Sequence, residues 1–365
     1  MPPSVIIVGA GPAGLAAGAC VRQRGVRATI IEASDAPGTT WRNLYDRLHL
    51  HTVKQFSGLP GLPMPRSFPR YPTRLQVVDY LSAYAKHFDL NIHYNSPVTQ
   101  ASRVADGWQI TTPQGEQCAD VLISATGIFS NPFLATYPGM SDFGGRTLPA
   151  SAYHNPASFA GQRVLVIGAG NSGAEIAVDL AEQGVATTIA IRVGVHVVPR
   201  DLLGVPIQRW AHLIAVMPHA LTQLITPVML RRSATRQAKA GVPKAAGSLL
   251  DKPGVPVIGL DLLQHTQAGD IVVAGAIERF TPTGVLFTDG HEAAFDAVIL
   301  ATGYRPALGY LADAVPLDAN GRPNLDGVRS LDAPHLYFVG MNYNIRGTLF
   351  TIAHEAPLVA RMITG

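Results

Sequence analysis

Residues 5–14 read VIIVGAGPAG, and residues 164–173 read VLVIGAGNSG. Each stretch is a short apolar run that stops at a G-x-G-x-x-G motif. This pattern is typical of a strand, a tight glycine turn and a helix that together bind a dinucleotide pyrophosphate. The two copies stay in register beyond the glycines, because residues 25–30 (GVRATI) fall on residues 184–189 (GVATTI) at the same offset of 159 positions. One such turn is a weak signal, whereas two copies in register predict two complete β-α-β units.

The glycines of both turns are needed for a physical reason. The first permits the tight bend, the second lets the backbone approach the pyrophosphate, and the third lets the helix pack closely on the strand. The N–H groups at the start of each helix then face the anion. Two turns predict two dinucleotides, bound in the first turn by Gly9, Gly11, Pro12 and Gly14 and in the second by Gly168, Gly170, Asn171, Ser172 and Gly173.

The residue that follows the second strand of each unit indicates which dinucleotide binds. Glu32 stands 18 residues after Gly14, where a carboxylate accepts hydrogen bonds from a free ribose diol and repels a 2′-phosphate. FAD or NAD therefore fits the first unit. Arg192 stands 19 residues after Gly173, and a guanidinium there suits bidentate contact with a 2′-phosphate, which indicates NADPH. A solvated arginine at a strand end is the alternative explanation of Arg192.

A second phrase follows each unit: residues 121–127 read VLISATG, and residues 298–303 read VILATG. Both are short apolar strands that stop at glycine. The order of turn, strand, turn and strand predicts an α/β fold of two Rossmann-like dinucleotide-binding domains, with the NADPH domain inserted into the FAD domain. We expect the first part of the FAD domain at 1–155, the NADPH domain with a helical insertion at 156–297, and the second part of the FAD domain at 298–365.

The composition excludes several classes of protein. The 365 residues are 47% hydrophobic and only 15% charged, with a formal net charge of +3, which rules out disorder and a charge-driven nucleic-acid binder. Cys20 and Cys118 lie far apart and form no C-x-x-C pair, so neither a disulfide framework nor a thiol relay is encoded. The histidines lack metal-ligand spacing, and we expect no metal.

Location and membrane contact are judged from two segments. The N-terminal residues lack the basic start, apolar stretch and small-residue cleavage site of a secretory signal, so we expect a cytoplasmic protein. Residues 210–230 carry no formal charge, but Pro218 and Pro227 interrupt them, which favours packed helices over a membrane span. A helix pair on a membrane surface or at a substrate mouth is the alternative. Membrane-surface contact is not expected, and a homodimer stays open.

Between the two turns lies a proline-dense, aromatic-rich stretch whose fixed dihedrals suit a rigid wall around a flat ring system. It contains residues 38–41 (GTTW), 45–56 (YDRLHLHTVKQF) and 71–73 (YPT), and residues 192–200 (RVGVHVVPR) follow the second unit. With these phrases and both ATG strands, the sequence resembles the flavin-containing monooxygenases. The resemblance is to the branch of plant indole-3-pyruvate monooxygenases and their bacterial relatives in particular.

The resemblance implies an NADPH-dependent FAD monooxygenase. In this chemistry NADPH passes a hydride to FAD, and the reduced flavin adds dioxygen at C4a. The resulting (hydro)peroxyflavin transfers one oxygen atom to a nitrogen, a sulfur or a keto-acid carbon of a small organic substrate, and the other oxygen atom leaves as water. Dioxygen and that substrate are the expected partners. Besides the first turn and Glu32, the resemblance places near the FAD the residues Thr40, Trp41, Val98, Ala125, Thr126, Gly340, Met341 and Thr348.

Three residues are candidates for catalysis. His51 stands where many members of the family carry an asparagine that contacts flavin and nicotinamide, and an imidazole can share or move a proton near neutral pH. Packing within the loop wall is the alternative explanation of His51. Asn342 and Arg346 are further candidates, beside a helix predicted to start near Thr348 whose N-terminus can face the flavin.

One pattern of the family is broken in this sequence. The family carries F-x-G-x-x-x-H-S-x-x-Y before the second turn, and residues 143–153 read FGGRTLPASAY, so that Pro149 replaces the histidine. This departure keeps open an NAD(P)H oxidase or reductase of the same fold that does not insert oxygen. A flavin-binding redox sensor is a third class, and two complete nucleotide units argue against it.

Overall fold

The computed structural model describes residues 2–247, 249, 256–344 and 346–365, and the chain divides into two compact units. The first unit comprises Met1–Asn43, Thr52–Asn131 and Tyr304–Gly365. The second comprises Leu44–His51 and Pro132–Gly303. The second unit is therefore inserted into the first along the sequence, and the short segment 44–51 also belongs to it.

The elements alternate between strands and helices along both units. The strands are β1 (Val5–Val8), β2 (Ala28–Ile31), β3 (Ile92–His93), β4 (Gln100–Val104), β5 (Gly107–Thr112), β6 (Gly115–Ala119), β7 (Val121–Ser124), β8 (Asn131–Pro132), β9 (Arg146–Pro149), β10 (Arg163–Ile167), β11 (Ala186–Ala190), β12 (Val197–Val198), β13 (Asp201–Leu202), β14 (Val205–Pro206), β15 (Val257–Ile258), β16 (Ile271–Ala274), β17 (Ile277–Thr281), β18 (Gly284–Phe287), β19 (Glu292–Ala294), β20 (Ala297–Leu300), β21 (Tyr304–Arg305), β22 (Leu325–Asp326), β23 (Arg329–Ser330) and β24 (Leu336–Phe338). The helices are α1 (Pro12–Gln23), α2 (Thr39–Arg42), α3 (Arg74–His87), α4 (Asn171–Glu182), α5 (Ile207–Ile214), α6 (His219–Lys239), α7 (Asp261–Ala268) and α8 (Thr348–Thr364). Short 3₁₀ helices lie at Lys54–Phe56, Met140–Asp142, Ala150–Ala152, Pro156–Phe159 and Gly309–Leu311.

The main sheet of the first unit has seven strands in the order β22-β23-β24-β7-β1-β2-β3. Strands β24, β7, β1, β2 and β3 run parallel, and β22 and β23 add an antiparallel edge. The first glycine turn follows the central strand β1, and the first ATG strand, β7, is its direct neighbour. Helix α1 after the turn packs against α8 on one face of this unit.

The main sheet of the second unit has five strands in the order β16-β11-β10-β20-β9, all of them parallel. The second glycine turn follows the central strand β10, and the second ATG strand, β20, is again its direct neighbour. Both units therefore carry the parallel arrangement that the repeated phrases predict, and the predicted fold class is confirmed.

The repeat extends further than the sequence analysis proposed. A three-stranded antiparallel sheet precedes each ATG strand: β4-β5-β6 in the first unit and β17-β18-β19 in the second. In the first unit Trp108 and Ile110 pack in one core with Leu122 of β7. In the second, Phe280 and Phe287 pack in the same way with Val298 of β20. Each unit is thus a Rossmann sheet with one antiparallel sheet packed beside it.

Helix α3 shows how local sequence sets one boundary. The helix runs from Arg74 to His87 directly after the Tyr71-Pro72-Thr73 phrase. The Thr73 hydroxyl accepts the N–H of Gln76 at 3.3 Å, and the Gln76 side chain accepts the N–H of Thr73 at 2.9 Å. This capping box provides acceptors for two backbone N–H groups that have no partner within the helix.

The uncharged stretch at 210–230 forms parts of two helices, α5 and α6. Pro218 immediately precedes α6, and Pro227 lies inside it. Ser233 and Gln237 point inward and donate to the carbonyl oxygens of Val197 and Val195 at 2.6 and 2.7 Å. Within the described ranges, no helix combines the length and the apolar character needed to cross a membrane.

Candidate active site

The first glycine turn has the geometry of a dinucleotide cradle. A methyl group on Gly14 would lie 1.8 Å from the carbonyl oxygen of Gly9, so helix and strand approach too closely for any side chain. Gly9 itself has a φ of +102°, which favours glycine. A methyl group on Gly11, by contrast, would meet no atom within 4 Å. The space beside Gly11, at the N-terminus of α1, fits a pyrophosphate that the helix N–H groups can bind.

The first ATG strand places two more predicted residues at this turn. Ala125 donates its N–H to the carbonyl oxygen of Val8 at 2.9 Å, and its own carbonyl oxygen would lie 2.9 Å from a methyl group on Gly9. The hydroxyl oxygen of Thr126 is buried and has no hydrogen-bond partner in the described part of the chain. A buried hydroxyl without a partner is costly. The polar edge of a dinucleotide beside the turn would satisfy it.

Glu32 is held at the same turn. Its carboxylate accepts the N–H of Ala10 at 2.5 Å and that of Ser34 at 3.0 Å. The carbonyl oxygen of Glu32 accepts the N–H of Ser96 at 2.9 Å, which draws the loop that contains Val98 toward the turn. The fixed carboxylate at the end of β2 keeps acceptor capacity for a ribose diol, as the sequence predicts.

Helix α2 brings Thr40 and Trp41 toward the first turn. Gly38, which precedes this helix, donates its N–H to the carbonyl oxygen of Ala10 at 3.0 Å. Both Thr40 and Trp41 are half-buried. The bond from Gly38 to Ala10 therefore ties the start of helix α2 to the first turn.

The C-terminal residues of the predicted site are held together by Glu355, which the sequence analysis did not single out. This side chain on α8 accepts the N–H of Gly340 and the amide of Asn342, both at 2.7 Å. Burial raises the pKa of Glu355, and the two hydrogen bonds lower it in part. Gly340 also packs on α1, where a methyl group would lie 3.0 Å from the Ala13 side chain. Glu355 thus fixes the turn at 340–342 beside the start of α1.

Arg346 lines an open cavity of about 160 Å³ beside the start of α8. Its guanidinium carbon lies 5.1 Å from the centre of the Phe350 ring, and the rings of Phe350 and His354 are 4.1 Å apart. The backbone N–H of Arg346 donates to the side chain of Asn344 at 2.9 Å. Thr348 is the first residue of α8. The cavity therefore combines a cation with two adjacent rings tilted at 40° to each other. Its lining residues are Asn344, Arg346, Phe350, Thr351, His354, Glu355 and Leu358.

The second glycine turn repeats the first in detail. Gly168 has a φ of +103°, a methyl group on Gly173 would lie 1.9 Å from the Gly168 carbonyl oxygen, and one on Gly170 would meet no atom within 4 Å. Ala301 of the second ATG phrase donates to the carbonyl oxygen of Ile167 at 2.8 Å. The cradle therefore fits a second dinucleotide at the N-terminus of α4.

The side chains around the second turn differ from those around the first. The amide of Asn171 donates to the carbonyl oxygen of Pro256 at 3.0 Å and accepts the N–H of Ile258 at 2.9 Å, so it fastens β15 to the turn. Ser172, the next residue of α4, is half-buried. Arg192 is exposed two residues beyond the end of β11, and Ile191 before it is the residue that matches Glu32 in the repeat. The second unit therefore has an apolar residue at the position of the carboxylate and a cation one position later.

His51 belongs to the second unit and lies beside α4. Its Nε2 atom is 3.6 Å from the carboxylate of Glu175, one turn into that helix. Burial lowers the pKa of the His51 ring, the Glu175 carboxylate raises it in part, and the charges of Arg200 and His49 lower it further. The sequence analysis missed Glu175, although its position four residues after Asn171 was a readable signal for a side chain near the turn.

Pro149 ends β9 at the outer edge of the second sheet, paired with Leu300 at the end of β20. Parallel strands end at the same edge, so this position faces the same side of the sheet as the glycine turn. Proline is tolerated there because an edge strand needs no donor on its open side. The replaced histidine of the family pattern would therefore stand at the edge of the sheet where the dinucleotide binds.

Two Rossmann units with two glycine cradles, a carboxylate fixed at the first turn and an exposed arginine just beyond the second strand of the other unit, define a two-dinucleotide flavoprotein oxidoreductase. The family model described as "FMO-like: Flavin-binding monooxygenase-like" matches residues 3–325. The chain belongs to this flavin-binding monooxygenase family.

Named relatives agree with this assignment. Indole-3-pyruvate monooxygenase YUCCA1 of Oryza sativa subsp. japonica is 38% identical over 99% of this chain and 91% of its own length. Indole-3-pyruvate monooxygenase YUCCA6 of Arabidopsis thaliana is 35% identical over 82% of this chain and 75% of its own. A solved flavin-containing monooxygenase from Stenotrophomonas maltophilia has a TM-score of 0.78 and 28% identity, covering 99% of this chain and 98% of that one.

A more distant structure shows the fold alone. Cyclohexanone monooxygenase has a TM-score of 0.77 at 18% identity and covers 99% of this chain and 87% of that one. Together the comparisons confirm an NADPH-dependent FAD monooxygenase that oxygenates a small substrate with dioxygen. An oxidase or reductase that inserts no oxygen is not favoured.

Proposed function

We propose that this monooxygenase acts on a small 2-oxo acid that carries an aromatic group. The observation that carries the proposal is the pairing of the Arg346 guanidinium with the Phe350 ring at 5.1 Å, in a cavity that His354 also lines. A guanidinium binds a carboxylate through two parallel hydrogen bonds. The adjacent rings offer flat apolar surface for an aromatic side chain. The curated relatives named above are indole-3-pyruvate monooxygenases, which supports the same substrate class.

The residues of the two turns are proposed to hold the cofactors. When bound, NADPH supplies a hydride and FAD supplies the activation of dioxygen. The chain binds and orients both, and it keeps water away from the reacting atoms. FAD would be held by Gly9, Gly11, Pro12, Gly14, Glu32, Thr40, Trp41, Val98, Ala125, Thr126, Gly340, Met341 and Thr348, and NADPH by Gly168, Gly170, Asn171, Ser172, Gly173 and Arg192.

Three residues are proposed to act on the reaction itself. Arg346 binds the substrate carboxylate. Asn342 presents its amide oxygen to the flavin, since its amide nitrogen is bonded to Glu355 at 2.7 Å. His51 shares or moves a proton at Nδ1, because its Nε2 edge faces Glu175. The finer expectations of a cytoplasmic location and a homodimer stay predictions, to be checked by cell fractionation and by light scattering of the purified protein.

Indole-3-pyruvate and its methyl ester test the substrate proposal. With the wild-type protein, we expect the acid to speed NADPH oxidation in a coupled reaction that releases little hydrogen peroxide. In Arg346→Gln, KM for the acid should rise by roughly tenfold or more, because the substitution removes a charged hydrogen-bonded pair. KM for the ester should change little. Arg361→Gln, an exposed arginine near the end of α8, is the matched control.

Two results would contradict the proposal. One is an equal rise of KM for acid and ester in Arg346→Gln. The other is a wild-type protein that oxygenates amines or thioethers and shows no faster NADPH oxidation with any 2-oxo acid.

A further inference from the structure

A cluster of polar side chains surrounds Glu175 on helix α4 of the second unit. The Tyr45 hydroxyl donates to its carboxylate at 2.7 Å. The other carboxylate oxygen lies 3.6 Å from His51 Nε2 and 3.6 Å from the Arg200 guanidinium. Only 15% of the Glu175 side chain and 19% of the His51 side chain are exposed. Glu175 is therefore the common neighbour of three side chains that come from two separate parts of the sequence.

The two nitrogens of the His51 ring have different surroundings. Nε2 faces the carboxylate of Glu175, whereas Nδ1 is buried and makes no hydrogen bond to any residue that the structure describes. A buried polar atom without a partner costs about 1–3 kcal/mol. Such atoms in native proteins are commonly reserved for a ligand or for catalysis. The Nδ1 edge of His51 is therefore the edge that keeps hydrogen-bonding capacity for a ligand, since the Nε2 edge faces Glu175.

The carboxylate determines which nitrogen carries the proton. A negative charge beside Nε2 favours the tautomer with hydrogen on Nε2, and it disfavours the tautomer that turns a lone pair toward the carboxylate. The neutral ring then presents the Nδ1 lone pair as an acceptor. Burial keeps the ring neutral near pH 7 because it lowers the pKa of His51.

The cluster is close to the second dinucleotide cradle. Glu175 stands four residues after Asn171, the first residue of α4, which corresponds to about 6 Å along the helix. Glu175, the neighbour of His51, is thus about one helical turn from the N-terminus that carries the second cradle.

We propose that Glu175 is a positioning residue for the oxygenation reaction: it holds His51 in the Nε2–H tautomer, so that Nδ1 accepts a hydrogen bond from the ligand bound in the second unit. The inference rests on the proposed role of His51 and deepens it. Glu175 does not itself touch the ligand. It acts through the imidazole, as the carboxylate of a catalytic triad acts through its histidine.

The tautomer can be measured directly by ¹⁵N NMR of the holoenzyme labelled at histidine. The His51 signals are assigned by their loss in His51→Asn. We expect Nε2–H in the wild type and a substantial population of Nδ1–H in Glu175→Gln, which keeps the side-chain volume and the acceptor for Tyr45 but removes the charge. An unchanged tautomer in Glu175→Gln would overturn the proposal.

Asp179→Asn is the matched control for that experiment. Asp179 lies one turn further along the same helix and accepts the hydroxyl of Tyr153 at 2.7 Å. The substitution therefore removes a second carboxylate bonded to a tyrosine of the same unit, at a position away from His51. We expect the wild-type tautomer in Asp179→Asn. An equal tautomer change in both variants would show a general loss of structure and would count against a specific role of Glu175.

The pH profile of kcat/KM for NADPH is the second measurement. The charged and titratable groups that face His51 are Glu175, Arg200 and His49. One limb of this profile is expected to report the pKa of His51, and we call it the His51 limb. Removing the carboxylate in Glu175→Gln should move this limb to lower pH by about one unit. Arg200→Gln leaves Glu175 in place and should move the limb to higher pH. The Arg200→Gln result keeps the proposal testable if Glu175→Gln does not fold, and an unmoved limb in Arg200→Gln would contradict it.

Failure of this inference can be told apart from failure of the proposed function. If His51→Asn leaves kcat, KM and the release of hydrogen peroxide unchanged, the catalytic role of His51 is wrong, while the tautomer measurement still reports on Glu175. If His51→Asn impairs turnover but Glu175→Gln leaves the tautomer and the pH limb unchanged, His51 acts without Glu175 and the positioning role is wrong.

Discussion

The carboxylate of Glu355 accepts the backbone N–H of Gly340 at 2.7 Å, across fifteen residues of sequence. The same side chain accepts the amide of Asn342 at 2.7 Å. The turn after β24 and the second turn of α8 are therefore joined by one buried side chain that reaches both. Since the proposed flavin contacts at Gly340 and Met341 lie in this turn, the position of Glu355 determines where they stand.

Loss of Glu355 should loosen the flavin site. In Glu355→Ala, the buried Gly340 N–H loses its acceptor, at a cost of about 1–3 kcal/mol, and the exposed Asn342 amide keeps only the Gly327 carbonyl oxygen at 3.4 Å. We expect a lower Tm and a lower fraction of retained FAD, measured by the flavin absorbance after gel filtration. Arg361→Gln on the exposed side of the same helix is the control. A variant that keeps its full FAD content and its Tm would show that Glu355 does not hold the turn.

Alanine substitutions at two glycines of the first turn should have different effects, one on folding and the other on FAD binding. Gly14→Ala places a methyl group 1.8 Å from the Gly9 carbonyl oxygen, so we expect little folded protein. Gly11→Ala meets no protein atom within 4 Å, so the chain should fold with a Tm close to that of the wild-type apoprotein. Its methyl group would occupy the space of the pyrophosphate, and FAD affinity should fall by roughly tenfold or more. Circular dichroism and flavin titration separate the two effects.

The second turn provides the internal control for the first. Gly170→Ala stands at the matching open position and should weaken NADPH binding while the FAD content stays normal. If Gly11→Ala and Gly170→Ala lowered binding of both dinucleotides equally, the separate assignment of the two cradles would be wrong.

Much of this architecture could be predicted from the sequence because its repeat is local. Residues 5–14 and 164–173 encode a strand, a turn and a helix within ten positions, and glycine leaves few alternatives for such a turn. The antiparallel sheets were missed, since strands such as β4 and β5 gain their stability from packing on another sheet rather than from a sequence phrase. Glu355 and Glu175 were missed for a related reason: their partners are distant in sequence, and a lone glutamate in a helix is most often solvated.

Two aspartates extend the repeat of the sequence. An aspartate precedes each ATG strand, Asp120 in the first unit and Asp296 in the second. Asp120 accepts the N–H and the hydroxyl of Ser4 at 2.6 and 2.8 Å, and Asp296 accepts the N–H and the guanidinium of Arg163. Both aspartates fasten the start of the strand that leads into the glycine turn, and in both the hydrogen bonds lower the pKa.

Arg192→Ala should separate NADPH from NADH. The exposed guanidinium beyond β11 is proposed to pair with the 2′-phosphate, which only NADPH carries. We expect KM for NADPH to rise by roughly tenfold or more while KM for NADH changes little, a difference of at least about 1.4 kcal/mol in transition-state binding. Arg279→Ala, an exposed arginine on β17, is the control. Equal changes for the two nucleotides would mean that Arg192 is a solvated side chain at a strand end.

The Asp296 pair gives a pH-dependent contribution to stability whose sign is fixed by its pKa. Hydrogen bonds from Arg163 lower the pKa of Asp296 to about 2, below its ordinary value of 3.8. Because the folded protein holds the carboxylate in its charged form, the stabilisation is present above pH 3.8 and is lost as the pH falls toward 2. The pair is exposed, so the effect is small and screened by salt.

Urea unfolding of Asp296→Asn between pH 2 and 6 checks this behaviour at low salt. The variant should unfold at lower urea than the wild type at pH 5 and 6, and the two midpoints should converge as the pH falls below 3.8. Glu292→Gln, an exposed carboxyl on β19 of the same unit, should not reproduce this pattern. A midpoint difference that stays constant down to pH 2 would mean that Arg163 does not stabilise the ionised carboxyl, because a shape effect of the substitution is independent of protonation.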